Sequence, residues 1–325
     1  MPAIITHDSF GQDVYRDLHT AIGESRDEYE AFLLGNQGPD PLFFAVLDPR
    51  LHAHIRVGST MHAEKPTELI AALAGALSVL DEDERAVGRA YALGFLGHYL
   101  LDSTVHPFVF AQEHAICDAG IDGLSRDDGS EVHGVIEGEL DELVLFTKRG
   151  ETVATYNPAT EILKASPAVL ATVSKMYGYL ALTVYGVFAP VNLFSSSVHC
   201  YRFAQQAFYS PTGAKRAIVG HLERLARRHS FFQAMSHRPV ALTESAFDNH
   251  AREPWQNPFT EEVRTESFWD LYEHARARAK EAIVRFGREG FGPEEAHAVT
   301  DDLNFSGEPT CARLISVESA QPRHA

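Results

Sequence analysis

Residues 90–108 read AYALGFLGHYLLDSTVHPF. Three polar groups, His98, Asp102 and His106, stand four residues apart in a run otherwise built of Ala, Leu, Phe, Tyr and Gly. On an α-helix this spacing puts side chains on one face, one turn apart. Their neighbours offer no water to an ionised aspartate, so Asp102 needs a partner charge or a metal ion if it is buried. Pro107 disfavours helical geometry at the residue before it. The stretch therefore predicts a helix over 83–105, a stop at His106, and a second helix over 107–119.

The rest of the chain follows the same period. Further helices are predicted over 8–21, 26–34, 66–80, 130–147, 160–174, 177–189, 196–209, 213–235 and 259–288. Asp81, the Asn157-Pro158 pair, Gly287 and Gly290 mark some of their ends. Alternating strand patterns are scarce, although LISVE near the C-terminus could pair locally. The fold class expected is all-α: one helical bundle over 1–250, with a C-terminal helical extension, 251–325, packed on it. No Gly/Ser-rich or Pro-rich linker and no internal repeat interrupts the chain.

Composition narrows the functions. The chain has 325 residues, 45% of them apolar, and a formal charge of −17. That balance argues against duplex nucleic acid as a partner, since phosphate neutralisation needs clustered Lys and Arg. Phosphate chemistry in a metal-lined pocket stays open, because bound cations reverse the local field. Cys117, Cys200 and Cys311 are far apart and odd in number, which predicts a reducing compartment and no disulfide framework. The N-terminus MPAIITHDSF carries no secretory signal pattern, so a cytoplasmic location is expected. The uncharged run 176–198 is long enough to span a bilayer, but its three Tyr, Thr183, Asn192 and Pro190 read better as a buried helix ending near Pro190. No transmembrane segment is expected, and no clear membrane-binding element is legible.

His133 and Glu137 repeat the four-residue spacing on another predicted helix. Imidazole plus carboxylate is the donor mix of catalytic zinc. Four His-xxx-Asp/Glu pairs occur in the chain against about two expected by chance, so spacing alone does not single out a site; the apolar setting of His98 and Asp102 does. His7 at the start of the first helix, Asp40 in the LLGNQGPDPLFF turn, and His62 before the 66–80 helix are further candidates. His54 and His52 are alternatives to His62. Trp255, Phe259 and Phe305 predict ordered loops near the C-terminus, with Asn304, Ser306 and Gly307 as polar contacts if those loops cover the site.

The ordered series His7, Asp40, His62, His98-xxx-Asp102, His106, His133-xxx-Glu137 resembles the ligand order of the zinc-dependent phospholipase C family, which shares an all-α superfamily with fungal single-strand nucleases. The resemblance is specific for residues 1–145. It implies Asp40, His62, His98 and Asp102 around one zinc, His106, His133 and Glu137 around a second, and His7 with Asp102 at a third, so two or three zinc ions in all. It also implies Asp40 as general base beside a metal-bridging water, acting on a phospholipid headgroup or a small-molecule phosphate ester. Two enzyme classes fit less well. A His-Asp phosphohydrolase needs its dipeptide at the centre, whereas His7-Asp8 lies at the start; a di-iron bundle places acids before its histidines, not after them. The non-enzymatic alternative is a metal-stabilised helical protein with a degenerate site.

Overall fold

The computed structural model describes residues 3–310 apart from 227 and 289; Cys311 and LISVE lie outside the described residues. The fold is all-α. Its centre is the stretch from residue 90 onward, buried on every side from Ala90 to Val105, as a helix apolar all round must be.

The helices, in chain order, are α1 (Ile4–Ile22), α2 (Arg26–Gly35), α3 (Val57–Ala63), α4 (Pro66–Ala76), α5 (Arg85–Cys117), α6 (Gly129–Arg149), α7 (Pro158–Glu161), α8 (Pro167–Tyr185), α9 (Leu193–Phe208), α10 (Ala214–Glu223), α11 (Phe231–Met235), α12 (Phe268–Phe286) and α13 (Pro293–Thr300). Two 3-10 segments, Asp40–Leu47 and Pro49–His54, connect α2 to α3. Helices α1, α2, α6, α8 and α12 pack around α5, and α13 lies on α4. One core runs from Ile4 to Phe305, so the segment beyond 250 shares the hydrophobic interior of the rest.

Several expected boundaries are corrected. The 8–21 helix begins four residues earlier, at Ile4, because its first backbone N–H groups are capped from α6 rather than by a local side chain. The 160–174 and 177–189 helices are in fact one, α8, started by the Ser166 cap and Pro167 and ended by Gly186 in a left-handed conformation. The run 176–198 is therefore not one buried helix ending near Pro190. It is the end of α8, a loop with Phe188 exposed, and the start of α9. The 213–235 helix is broken into α10 and α11 by a turn. The first part of 259–288 is not helical: it supplies β2 (Val263–Arg264), which pairs with β1 (Trp255–Gln256) just before it, and only then do Ser267 and Asp270 close a capping box on α12. Among the described residues no helix is long and apolar enough to cross a membrane.

Helices α2 and α5 approach backbone to backbone. A Cβ at Gly94 would lie 2.9 Å from the Gly35 Cα and would strike the Phe32 carbonyl. This contact brings the chain after α2 down onto His98: Gly38, at φ +49°, lies so near that a Cβ there would sit 2.5 Å from His98 Cγ. Glycine is required at that position both for its backbone angle and for the space.

Candidate metal centre

The helix does not stop at His106. α5 runs through Pro107 to Cys117, which corrects the expected break. Proline in a helix interior removes one hydrogen bond and frees the carbonyl four residues earlier. Here Gly307, in the left-handed region, closes over that place. A Cβ on it would lie 2.7 Å from the Ser103 carbonyl oxygen and 2.5 Å from the Pro107 ring. The 304–307 loop thus covers the defect, and His106 stays in helical register with Asp102 and His98 instead of swinging free.

Four further elements deliver the remaining side chains. α1 presents His7 in its first turn, the 3-10 segment starts with Asp40, α3 carries His62, and α6 carries His133 and Glu137 one turn apart. The start of α1 is held by Asp141, one turn beyond Glu137 on α6. Its carboxylate accepts from Ile5 N (3.1 Å), Thr6 N (2.7 Å), Thr6 Oγ1 (2.6 Å) and His237 Nε2 (2.9 Å). The register of His7 is thereby tied to the helix bearing Glu137.

All eight sequence candidates meet. Three sets of donor atoms, each mutually within 4.8 Å, could hold a metal ion: His7, Asp40 and His98; His62, His98 and Asp102; His106, His133 and Glu137. Asp40 Oδ1 lies 3.0 Å from His62 Nε2 and 3.7 Å from His98 Nε2. Asp102 joins the sets: Oδ2 is 3.2 Å from His98 Nε2, while Oδ1 is 3.1 Å from His7 Nε2 and 3.8 Å from His106 Nε2. Glu137 Oε1 is 3.3 Å from both His106 Nε2 and His133 Nε2. His7 falls with Asp40 and His98 as well as with Asp102.

The opposite ring nitrogens decide what these contacts mean. His62 Nδ1–H donates to the Gly58 carbonyl (2.8 Å), His106 Nδ1–H to the Phe305 carbonyl (2.8 Å) and His98 Nδ1–H to the Asn36 carbonyl (3.2 Å). A carbonyl only accepts, so each Nδ1 carries the proton. His133 Nδ1 meets the Glu113 carboxylate at 3.0 Å. In these four rings, when neutral, Nε2 is then a lone pair aimed at a carboxylate oxygen, an arrangement that repels unless a cation or an added proton sits between; the fifth, His7, faces His98 Nδ1 with its own Nδ1 at 3.2 Å and Asp102 with its Nε2. Buried His98 Nε2 makes no hydrogen bond among the described residues. Imidazoles oriented through Nδ1 by carbonyl or carboxylate, with Nε2 converging, are the outer-shell pattern of metal-binding histidines. The donor set fits a metal.

Electrostatics agree. In the metal-free centre His106 is pushed up to about 10: burial works against its protonation, but the Asp102 and Glu137 carboxylates outweigh it. His7 and His133 are raised in the same way, against burial, chiefly by Asp102 and Glu137 respectively. His98, most deeply enclosed, is instead lowered to about 4 by burial. Asp102 is held far below the usual carboxylate range: burial opposes ionisation, but His106, His98 and His7 prevail. A raised histidine beside a carboxylate marks a place that attracts positive charge. A cavity of about 30 Å³ touches His7, Asp102, His106 and Glu137 on one side and Leu101, Val105 and Phe268 on the other.

The remaining candidates sort differently. His54 Nε2 turns to the Phe188 carbonyl at 3.0 Å and His52 is exposed, so His62 is the histidine at the centre. Phe305 is fully buried, with ring centroids 4.8 Å from His62 and 5.6 Å from His98, and its N–H donates to the His62 carbonyl. Asn304 does not reach the centre; its Oδ1 accepts from Ser306 N and Glu308 N within its own loop. Trp255 packs on Phe108, and Phe259 on Phe110, whose ring lies 4.9 Å from His133. Sequence reasoning missed Glu113, Asn36, Asp141 and the Phe305 carbonyl. Glu113 was within reach: it follows His106 by seven residues on the same helix face.

Family models, curated proteins and solved structures were compared with the chain, and none matches. Fold and site therefore define the protein: an all-α bundle whose buried His/Asp/Glu cluster could hold metal ions.

Proposed function

We propose that the protein is a zinc-dependent phosphoesterase that hydrolyses a phosphodiester by attack of water. The observation that carries this reading is the convergence of five histidine rings on Asp40, Asp102 and Glu137, four of them oriented through Nδ1 and all presenting Nε2 to a carboxylate. Zinc ions held there supply a Lewis acid for phosphoryl oxygens and bring the pKa of water toward neutrality. Asp40, His62, His98 and Asp102 would hold one ion, His106, His133 and Glu137 a second, and His7 would add to Asp102 for a third. Two divalent ions would balance the four carboxylates Asp40, Asp102, Glu137 and Glu113 that the cluster gathers.

Asp40 takes the proton. It starts a 3-10 segment instead of lying within a ligand helix, and its Oδ1 lies 3.0 Å from His62 Nε2 and 3.7 Å from His98 Nε2, where a metal ion shared with those rings would hold it. A carboxylate so placed accepts the proton of an attacking water and keeps it from returning. His62 is itself oriented by the Gly58 carbonyl, which aims its Nε2 at the ion position beside Asp40. The half-buried rings of Phe43 against His62 and Phe110 against His133 would border an organic substituent, which suits a phospholipid headgroup or a small aryl or alkyl phosphate ester.

The test is metal content together with turnover of a chromogenic phosphodiester. At least two zinc ions per chain are expected, since the donor set exceeds what one tetrahedral ion uses. Asp40→Asn should retain most of the metal and lose about 10²–10⁴-fold in turnover. Zinc content of one or none, or full activity in Asp40→Asn, would overturn the reading. One observation favours a second reading: Phe305 is fully buried against His62 and His98, and the cavity between the sets is small. A metal-stabilised, non-catalytic helical protein would bind zinc and turn over no phosphodiester.

A further inference from the structure

α10 departs from the rule the rest of the molecule obeys. Its apolar residues Ile218 and Leu222, one turn apart, and Leu225 in the turn just after it face solvent at 62%, 59% and 75% exposure. The opposite face holds the helix to the body. Arg216 donates to the Ser236 and Gln233 carbonyls, at 3.0 and 3.1 Å, and Gly220 lies against the Gln233 side chain. The outward stripe is therefore not a packing slip of a loose segment. It belongs to a tethered helix that turns its apolar side away from the core.

The charge around the stripe is as unusual. Residues 213–229 carry five Lys or Arg and one acid in a chain of net charge −17. Lys215, Arg224 and Arg228 are exposed, and none forms an ion pair among the described residues: Lys215 reaches the Tyr209 carbonyl and lies 5.8 Å from the Phe232 ring, Arg224 reaches the Gly220 carbonyl, and the Arg228 guanidinium lies against Gly123. The single acid, Glu223, is turned inward, accepting from Ser230 Oγ at 2.6 Å and Phe232 N at 2.9 Å. Unneutralised cations beside an exposed aliphatic row make up the face of a helix that lies in a membrane interface.

We propose that this face of α10 and of the segment just after it docks the protein on an anionic lipid surface, with Ile218, Leu222 and Leu225 entering the acyl boundary and Lys215, Arg224 and Arg228 meeting lipid phosphates. A second copy of the chain is a poor occupant, because a two-fold contact would set these cations against themselves. Nucleic acid would use the cations but leave the aliphatic row in water. An acidic bilayer satisfies both at once, each basic residue near the surface adding to the attraction. The docking is independent of the catalytic reading, since it draws on no residue of the metal centre.

Co-sedimentation of the full chain with vesicles tests it. Binding is expected to vesicles of phosphatidylcholine with about 30 mol % phosphatidylglycerol and not to phosphatidylcholine alone, and it should weaken about tenfold when salt is raised well above physiological strength. The double variants L222N/L225N and K215Q/R224Q should each lower vesicle binding about tenfold with unchanged melting, because the replaced side chains are exposed. No partition onto anionic vesicles, or partition untouched by both variants, would overturn the proposal. So would a dimer in sedimentation velocity that L222N/L225N dissolves, which would assign the face to a second copy. No outcome reads phosphodiester turnover, so the docking and the catalysis stand or fall separately.

Discussion

Asp102 illustrates how a single side chain gets its role from what surrounds it. Both of its oxygens are used, one toward His98 and the other toward His7 and His106. Asp102→Asn replaces a shared carboxylate with an amide that puts N–H groups where a cation would sit. It should lose more zinc than His7→Ala, which removes one donor at the edge of the cluster; equal zinc content in both purified variants would refute the bridging assignment. The histidines set the pH response. His106 is raised from 6.5 to about 10 when no metal is present. Its stabilisation of the metal-free fold is complete below about 6.5 and is lost as pH climbs through 10. His98 is lowered to about 4, so its contribution is complete above 6.5 and fades as pH falls toward 4. The metal-free protein should melt highest near neutrality and lower at pH 9, whereas zinc takes over the role of the His106 proton and flattens the alkaline side. Melting curves of both forms across pH 5–9 check this, and a metal-free melt that does not fall above pH 7 would count against the His106 environment described.

Among the elements, α5 shows both the reach of local reasoning and its limit. Thirty-three residues make a helix of about 50 Å, and the four-residue spacing of His98, Asp102 and His106 could be read directly because that spacing depends only on backbone geometry. The effect of Pro107 could not be read that way. Its cost depends on what covers the freed carbonyl, and the cover is Gly307, 200 residues downstream. The α2–α5 crossing is a second case. Gly94→Ala would drive a methyl into the Phe32 carbonyl and toward Gly35, and backbone atoms there cannot step aside. It should destabilise by about 1–3 kcal/mol and lower zinc affinity as well, since Asn36, which orients His98, follows α2 directly. Denaturant unfolding of the metal-free protein and zinc titration measure the two effects. A variant as stable as the parent would mean that the two helices have room to separate.

On the scale of the whole molecule, five separate segments deliver the ligands to one place, so the metal and the fold are coupled. Without a cation the cluster keeps carboxylates in a buried setting by taking up protons; with one, binding free energy adds to folding free energy. A chelator should therefore lower the melting temperature, and zinc at about a thousand times its dissociation constant should add roughly 4 kcal/mol. Identical melting with and without chelator would show that no metal is held in the native state. The all-α class, the buried character of residues 90–105 and the facing pairs His98/Asp102 and His133/Glu137 were all legible from periodicity, which is a property of the local backbone and of burial. The choice of His62 over His54, the bonding of each Nδ1, the sealing of Pro107 and the outward turn of α10 were not. These depend on contacts between residues far apart in the chain, and such contacts are decided by how helices cross and which loops fit between them. The sequence by itself determined which side chains share a face; only tertiary packing decided which faces meet, because a helix repeats its own geometry but carries no local record of its neighbours.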